Sequence, residues 1–334
     1  MKRRYSIALG FALLALAVHA QDPHFTQFHL LPQMYNAGRI GLFDGDFRTS
    51  AHYRRQWASV GEGFTTQAFQ LDGALIGKGP TGDRLGVGLL VLNDQAGLAD
   101  FRVFQIKAGI AYHIQVSQND RMSLGLQAGY LHRNISMDGL AWDAQYNGSE
   151  YDPSLPTMES QFSVPIDRGF DLGSGVNWSH RTREFDWYAG YGFRHLGQNQ
   201  THLQNGEDRL PLRQSLQAGL VSRLPNVWFY ADALVQRQRG AMEIMASVRG
   251  EIRLGSDSRY TDVYKSSAIL TGLAYRAGEA ISPMIGFEWK RMATISLSYD
   301  LPLSDVRRIT GLGGGPEITL IYLGDYGKKR EVVK

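Results

Sequence analysis

The sequence predicts an all-β fold: a transmembrane, antiparallel up-and-down β-barrel of about 14 strands. Three observations carry this. The chain opens on an export leader yet holds no later apolar run long enough for a spanning helix. Its long segments alternate apolar and polar residues with a period of two. The connections between those segments sort into short and long ones, as a barrel requires.

The leader is residues 1–20. Lys2, Arg3 and Arg4 precede an apolar run from Ile7 to Val18, and Val18-His19-Ala20 offers small residues for cleavage. The mature chain would begin at Gln21, and the alternative is an uncleaved amphipathic helix. The chain has 334 residues, 43% of them hydrophobic, which is too apolar for a disordered polypeptide. There is no cysteine, which excludes a disulfide framework, a thiolate metal site, a cysteine nucleophile and a lipobox. Without the three leader cations the basic residues fall from 35 to match the 32 acidic ones, so nucleic-acid binding has no electrostatic basis.

The period is clearest from Phe101 to Val116. Phe104, Ile106, Ala108, Ile110, Tyr112, Ile114 and Val116 share one face, and Gln105, Lys107, Gly109, Ala111, His113 and Gln115 share the other. Met122, Leu124, Leu126, Ala128 and Tyr130 alternate with Ser123, Gly125, Gln127 and Gly129. Ile244 to Leu254 alternates in the same way with Met245, Ser247, Arg249, Glu251 and Arg253. A helix would space its apolar residues three or four apart. In a barrel, Lys107, His113, Arg249, Glu251 and Arg253 face the lumen, where they either tune a pore or brace a filled interior.

The expected strands are 47–57, 65–76, 83–92, 101–116, 121–132, 169–179, 185–195, 213–223, 226–235, 243–254, 266–276, 281–289, 292–300 and 315–323. Many exceed the ~5–6 residues of a soluble strand and reach the ~9–11 that a tilted strand needs to cross a bilayer. If the first strand rises from the periplasm, the periplasmic connections are short, with Gly255–Lys265 the exception. The three longest connections, Arg133–Arg168, Leu196–Leu212 and Leu301–Gly314, then all lie outside. Trp57, Tyr112, Tyr130, Trp178, Trp228, Trp289, Tyr299 and Tyr322 fall near strand ends, where aromatic girdles sit. The resulting organisation is a leader at 1–20, a periplasmic N-terminal segment at 21–46, a barrel at 47–323 and a charged tail at 324–334.

Catalytic chemistry finds no carrier. There is no Gly-x-Ser-x-Gly elbow, and Gly311-Leu312-Gly313-Gly314-Gly315 lacks the Lys-Ser/Thr of a phosphate loop, so it reads as an outer loop. His24 and His29 have no metal-ligand spacing, and Asp44-Gly45-Asp46 is a turn rather than a calcium loop. No cofactor and no metal are expected, and the chain is not expected to be an enzyme. The loop Arg133–Arg168 carries Trp142, Tyr146, Tyr151 and Phe162, which either anchor a partner or pack back into the barrel mouth.

The mature N-terminus Gln21-Asp22-Pro23-His24-Phe25-Thr26-Gln27-Phe28 is followed by Tyr53-Arg54-Arg55-Gln56-Trp57 and Thr65-Thr66-Gln67. Then come Gly86 through Gly97, including Asn93, Asp94 and Gly97, and later Leu124–Tyr130, Trp187-Tyr188-Ala189-Gly190, His195-Leu196 and Arg209-Leu210-Pro211. In order and spacing these stretches resemble the PorP/SprF family of type IX secretion system membrane proteins of the Bacteroidetes. Tyr35-Asn36-Ala37-Gly38 lacks the proline that the family usually places after the asparagine, and Gly324–Lys334 extends past the usual closing strand.

The resemblance implies a non-enzymatic outer-membrane barrel serving secretion or surface attachment of particular exported proteins, adhesin-like cargo of gliding motility among them. It implies as partners the type IX machinery, a secreted cargo protein, outer-membrane lipid and a periplasmic peptidoglycan-binding protein. It places Asp22, Pro23, Phe25, Gln27 and Phe28 in a periplasmic segment that contacts such a partner or plugs the lumen. A general diffusion porin for small solutes is the alternative.

Overall fold

The computed structural model describes residues 23–57, 63–77, 82–97, 100–134, 142–156, 168–197, 200–201, 208–255, 265–303 and 314–325. The leader, Gln21, Asp22, Phe162 and the end of the tail lie outside the described residues.

Among the described residues the fold is a closed, antiparallel, fourteen-stranded barrel. The strands are β1 (Phe47–Gln56), β2 (Phe64–Gly77), β3 (Arg84–Ala96), β4 (Phe101–Gln115), β5 (Asp120–Asn134), β6 (Arg168–Arg181) and β7 (Phe185–Arg194). They continue as β8 (Arg213–Arg223), β9 (Val227–Gln238), β10 (Ala241–Leu254), β11 (Ser267–Arg276), β12 (Ala280–Trp289), β13 (Ala293–Tyr299) and β14 (Pro316–Gly324). Leu301–Pro302 prolongs β13 along β12. Each strand pairs with its neighbours in sequence. The ring closes where β1 meets β14, in register from Phe47 opposite Gly324 to Arg54 opposite Glu317. Closure leaves no unpaired edge, the condition for placing a sheet in lipid.

The expected strands and the observed ones agree to within a few residues. The largest difference is β3, which runs on to Ala96 instead of stopping at Leu92. Its apolar run Leu89–Leu92 gives way to Asn93-Asp94-Gln95, but the ladder to β2 and β4 continues through those polar residues. Two of the tight connections show why they need no loop. Lys290 and Arg291 both take positive φ, 50° and 56°, as do Arg239 and Gly240 at 43° and 90°. Two consecutive left-handed residues twist with the flanking strands and close a two-residue hairpin.

The two faces divide as the alternation requires. Outward-facing Ile110, Leu124, Leu126, Val248, Ile285 and Leu320 are each half or more exposed. Such a belt would be an aggregation hazard in water and is solvated by lipid instead. The inward face is buried and polar: Ser50, His52 and Arg54 on β1, Gln105, Lys107 and His113 on β4, Ser247 and Glu251 on β10. Tyr112, Tyr130, Trp178, Trp289, Tyr299 and Tyr322 are exposed on the outer face. Trp228 departs from the expected girdle. It shares the inward face of β9 with Asp232, Leu234 and Gln236, because its even position is the lumen side of that strand. There its ring is flanked by the guanidiniums of Arg253, Arg223 and Arg291 at 4.3, 5.1 and 5.1 Å.

Candidate functional site

The lumen is filled by the protein's own N-terminus. Of the two roles expected of the N-terminal segment, contacting a periplasmic partner or plugging the lumen, the second is the one it takes: Phe25, Phe28, Leu31, Met34, Tyr35 and Ile40 are all at most 2% exposed. Its backbone makes a 3₁₀ turn at Phe28–Leu30, one helical turn at Pro32–Tyr35 and a second 3₁₀ turn at Ala37–Arg39. Pro32 opens the helical turn, where its missing N–H costs nothing. Asn36 ends it. The Asn36 side chain accepts from Gly38 N–H at 2.8 Å and donates to the Val176 carbonyl at 3.0 Å. The asparagine alone thus shapes the turn, without the proline usual after it.

Three kinds of contact hold this plug. The first is apolar. Phe25, Phe28, Leu31, Met34 and Tyr35 form one cluster with Ala68, Leu90, Leu92, Leu234 and Met245, apolar residues of a largely polar inner wall. Burying each large side chain contributes about 1.5–3 kcal/mol.

The second contact is steric, across β3 to β7. A β-carbon on Gly125 would stand 2.2 Å from Ala37 backbone atoms, one on Gly192 2.1 Å from the Tyr35 carbonyl oxygen, and one on Gly86 2.3 Å from that of Ile40. A β-carbon on Gly175 would stand 2.0 Å from the Asn36 side-chain oxygen. Any larger residue would push the plug off the wall. Gly125 pairs with Gly175, and Gly175 with Gly192, so the bare positions line up across three strands.

The third contact is ionic and lies at the long-loop end. The Glu317 carboxylate accepts the backbone N–H groups of Thr26 and Gln27 at 2.7 and 2.9 Å. Asp300 accepts from the Thr26 hydroxyl at 2.7 Å, and Arg54 donates to the His24 carbonyl at 2.6 Å. Arg54 also meets Asp300 at 2.6 Å, and Arg276 lies 3.4 Å from the same carboxylate. Arg276, Arg213 and His24 surround Glu243 at 3.7, 3.7 and 3.4 Å. Here every buried charge has an opposite neighbour, the arrangement that makes burial tolerable.

From this lock the segment descends. Gln33 N–H donates to Gln70, Gln127 donates to the Gln33 carbonyl, and Gly41 N–H donates to Asp72 at 2.7 Å. His113 lies 2.8 Å from the Ile40 carbonyl, and Arg84 donates to the Phe43 and Gly45 carbonyls at 2.9 and 2.8 Å. Asp44-Gly45-Asp46 is then the bend into β1.

The residues singled out from sequence fall as follows. Phe25, Gln27 and Phe28 are buried in the plug and offer no surface to another protein; Pro23 is partly exposed at its start. Lys107, His113, Arg249, Glu251 and Arg253 are on the lumen side but are not one cluster. Lys107 pairs with Asp171 at 2.5 Å, and Asp171 also pairs with His195 at 3.0 Å. Arg249 pairs with Asp232 at 2.7 Å, and Arg253 joins Glu251 and Glu288. Of the family stretch, Arg54 joins the lock, Tyr53 faces outward, Gln56 ends β1, and Trp57 follows it with a φ of 51°. Asp94 accepts from Thr66 at 2.6 Å, Asn93 faces outward beside it, and Gly97 takes a φ of 66° in the turn to β4.

In the first long loop Tyr146 and Tyr151 pair as an isolated bridge and are exposed. Trp142 is half-buried at the start of a short 3₁₀ turn, whose Gln145 donates to the Pro153 and Leu155 carbonyls. The second long loop reaches the mouth of the barrel, where Leu210 packs against Val103 and Leu131.

Below the plug a cavity of about 550 Å³ opens toward the short turns, reaching Gln118 and Asn119. Among the described residues no group of three or more metal-ligating side chains is assembled.

The description of the type IX secretion system membrane protein PorP/SprF matches residues 17–322. The chain belongs to that family. Comparison with curated proteins finds no match. Among solved structures the chain is similar to the toluene transporter TbuX of Ralstonia pickettii, at 9% identity over 87% of this chain and 92% of that one, with a TM-score of 0.49. It is also similar to the toluene transporter TodX of Pseudomonas putida, at 11% identity over 86% and 91%, TM-score 0.49. A FadL homologue of Pseudomonas aeruginosa matches at 9% identity over 86% and 92%, TM-score 0.47. The PorP/SprF family is one of secretion-system membrane proteins and not an enzyme class.

Proposed function

We propose that this protein is a non-enzymatic accessory barrel of the type IX secretion system, seated in the outer membrane after removal of residues 1–20. It supports the secretion or surface attachment of specific exported, adhesin-like proteins. In this reading the short turns face the periplasm and the long loops face outward. The type IX machinery and a peptidoglycan-binding protein are met on the periplasmic side. The cargo is held by the long loops, with Trp142, Tyr146, Tyr151 and Phe162 as anchors.

The observation that carries the reading is the filled lumen. A barrel whose interior is occupied by twenty or so of its own residues, locked by Glu317, Asp300 and Arg54, works through its rims rather than its bore. Outer loops on a rigid barrel are also where partners commonly dock.

Deletion of Arg133–Arg168 tests this. Loss of surface display of one or a few type IX substrates, with the barrel still folded, is the expected result; unchanged display of all of them removes the loop from the reading. Planar bilayers test the competing diffusion pore. The purified protein is expected to be electrically silent, and steady open channels would favour the pore.

A further inference from the structure

The lipid-facing wall is not evenly filled. Beside the closing seam three outward positions carry small side chains, Thr49 and Ala51 on β1 and Ala293 on β13. Large neighbours surround them. Tyr322 lies opposite both Thr49 and Ala293, Trp289 opposite Ala293, and Phe69 opposite Ala51. The step from large to small leaves a groove of about 430 Å³, and among the described residues no charged side chain lines it.

The foot of the groove is cationic. Lys290 and Arg291 form the two-residue hairpin after Trp289, both at positive φ, a place where asparagine and glycine are the usual residues. Their side chains diverge. Arg291 turns to the Trp228 ring in the lumen, while the Lys290 ammonium stands 5.2 Å from the centre of the Trp289 ring on the groove. The Lys290 backbone N–H donates to the Ser267 hydroxyl at 3.2 Å, which pins the hairpin to β11. Lys290 is exposed, and among the described residues no carboxylate pairs with it. Lys265, two residues before Ser267, adds a second ammonium, 3.9 Å from the Asp325 carboxylate. The chain leaves β14 at this same corner, where Leu323 N–H donates to the Met292 carbonyl at 2.7 Å, and its next residues include Lys328, Lys329 and Arg330.

We propose that this groove is a binding site for one anionic phospholipid, with an acyl chain along Ala51, Thr49 and Ala293 and the headgroup phosphate on Lys290. Each part of the site selects that occupant. An uncharged groove within the hydrocarbon layer takes hydrocarbon, and its volume is that of a small-molecule pocket. A protein partner gains little there, because lipid tails are as apolar as the side chains that would replace them. Trp289 and Tyr322 mark the level of the headgroups, where amphipathic rings settle, so the ammonium just beyond them meets phosphate. A net-anionic headgroup is favoured over a zwitterionic one, whose own ammonium competes with Lys290, and each lysine near an anionic membrane surface adds attraction. The groove crosses β1, β14, β13 and β12, so a lipid held in it lies over the seam that closes the ring. Which leaflet supplies it rests on the orientation proposed above; the binding itself does not.

The test uses the full mature chain, delipidated in detergent micelles, with phosphatidylglycerol or phosphatidylcholine of the same chain length titrated in and bound lipid counted by native mass spectrometry. The first phosphatidylglycerol is expected to bind about tenfold more tightly than the first phosphatidylcholine. Lys290→Gln is expected to lower that preference about fivefold, the share of one lysine. Ala293→Phe fills the groove and is expected to weaken both lipids about tenfold, the effect of expelling about two methylenes. Ala108→Phe on the outward face of β4 and Arg237→Gln on that of β9 should change neither. All four positions face away from the lumen or lie in a turn, and the heat-dependent shift of the folded band on a gel checks that each variant is a closed barrel. Equal affinity for the two lipids, a preference unchanged in Lys290→Gln, binding unchanged in Ala293→Phe, or a second copy of the chain on the seam in place of lipid would each overturn the proposal. Because the assay involves neither cargo nor loops, its failure leaves the loop reading standing, and failure of the loop deletion leaves this site standing.

Discussion

The two ends of the lumen are built from the same residue types and end in opposite states. At the long-loop end Arg54, Arg213 and Arg276 interleave with Glu243, Asp300 and Glu317 around His24–Gln27, which they hold between them. At the short-turn end arginines and carboxylates are equally frequent and again pair, Arg249 with Asp232 and Arg181 with Asp186, yet a cavity remains. The difference teaches that charge content says little about a barrel interior. Pairing offsets the desolvation of the cations at both ends, and what decides is whether a segment of chain arrives to fill the gap.

The comparison is broken most forcefully at the locked end. Glu317→Ala removes the acceptor of two backbone N–H groups and an ionic neighbour of Arg54. It is expected to cost about 3–5 kcal/mol, read as a lowered denaturation midpoint of the purified barrel. It should also expose the segment before Phe28 to protease. Next in size is a change on the outside: Ile110→Arg, on the lipid-facing side of β4, should cost about 2–4 kcal/mol when folding is measured in lipid.

Gly192→Leu tests the trough between the two ends. Its side chain would enter the space of the Tyr35 carbonyl, at a cost of about 1–3 kcal/mol and with the plug lifted from the wall. Measurable conductance in planar bilayers, absent from the parent protein, is the expected sign. The smallest effect belongs to the hollow end. Arg121→Gln should change stability by no more than about 0.5 kcal/mol, because it breaks no ion pair. A large loss there would mean that the cavity, too, is a structural brace.

The barrel itself was legible because its signal is local. Alternation in 101–116, 121–132 and 243–254 assigns each residue to a face, and the faces agree with their burial. The resemblance offered a lumen plug as one of two roles for residues 22–28, but the residues themselves do not decide it, for two physical reasons. Residues 23–43 have no period, since they are shaped by short turns and by a wall they do not resemble. The contacts that hold them join Thr26 to Glu317 and Asp300, at the other end of the chain, which no local window connects. One signal of the plug does stand in the sequence. Gly86, Gly109, Gly125, Gly175 and Gly192 all sit on the polar faces of neighbouring strands, where side chains are ordinarily needed to fill a lumen. Bare positions there mean that something else occupies the space. Leu90, Leu92, Leu234 and Met245, apolar residues on the wet side, carried the same message. Trp228 lies near a strand end without joining the girdle, because nearness to an end does not fix which side a ring takes.

The path of the plug also separates the ends of the polypeptide. Phe47 and Gly324 are partners at the closing seam. His24, though, is carried the full height of the cylinder to the opposite rim, beside Arg54 and Glu243. Reporter groups fused before residue 23 and after residue 325 would therefore surface on opposite sides of the same membrane. A fusion at the front would also have to be drawn through the cylinder, or enclosed by it, before β1 and β14 could zip together, so that bulky front-end fusions should stall assembly while back-end ones pass.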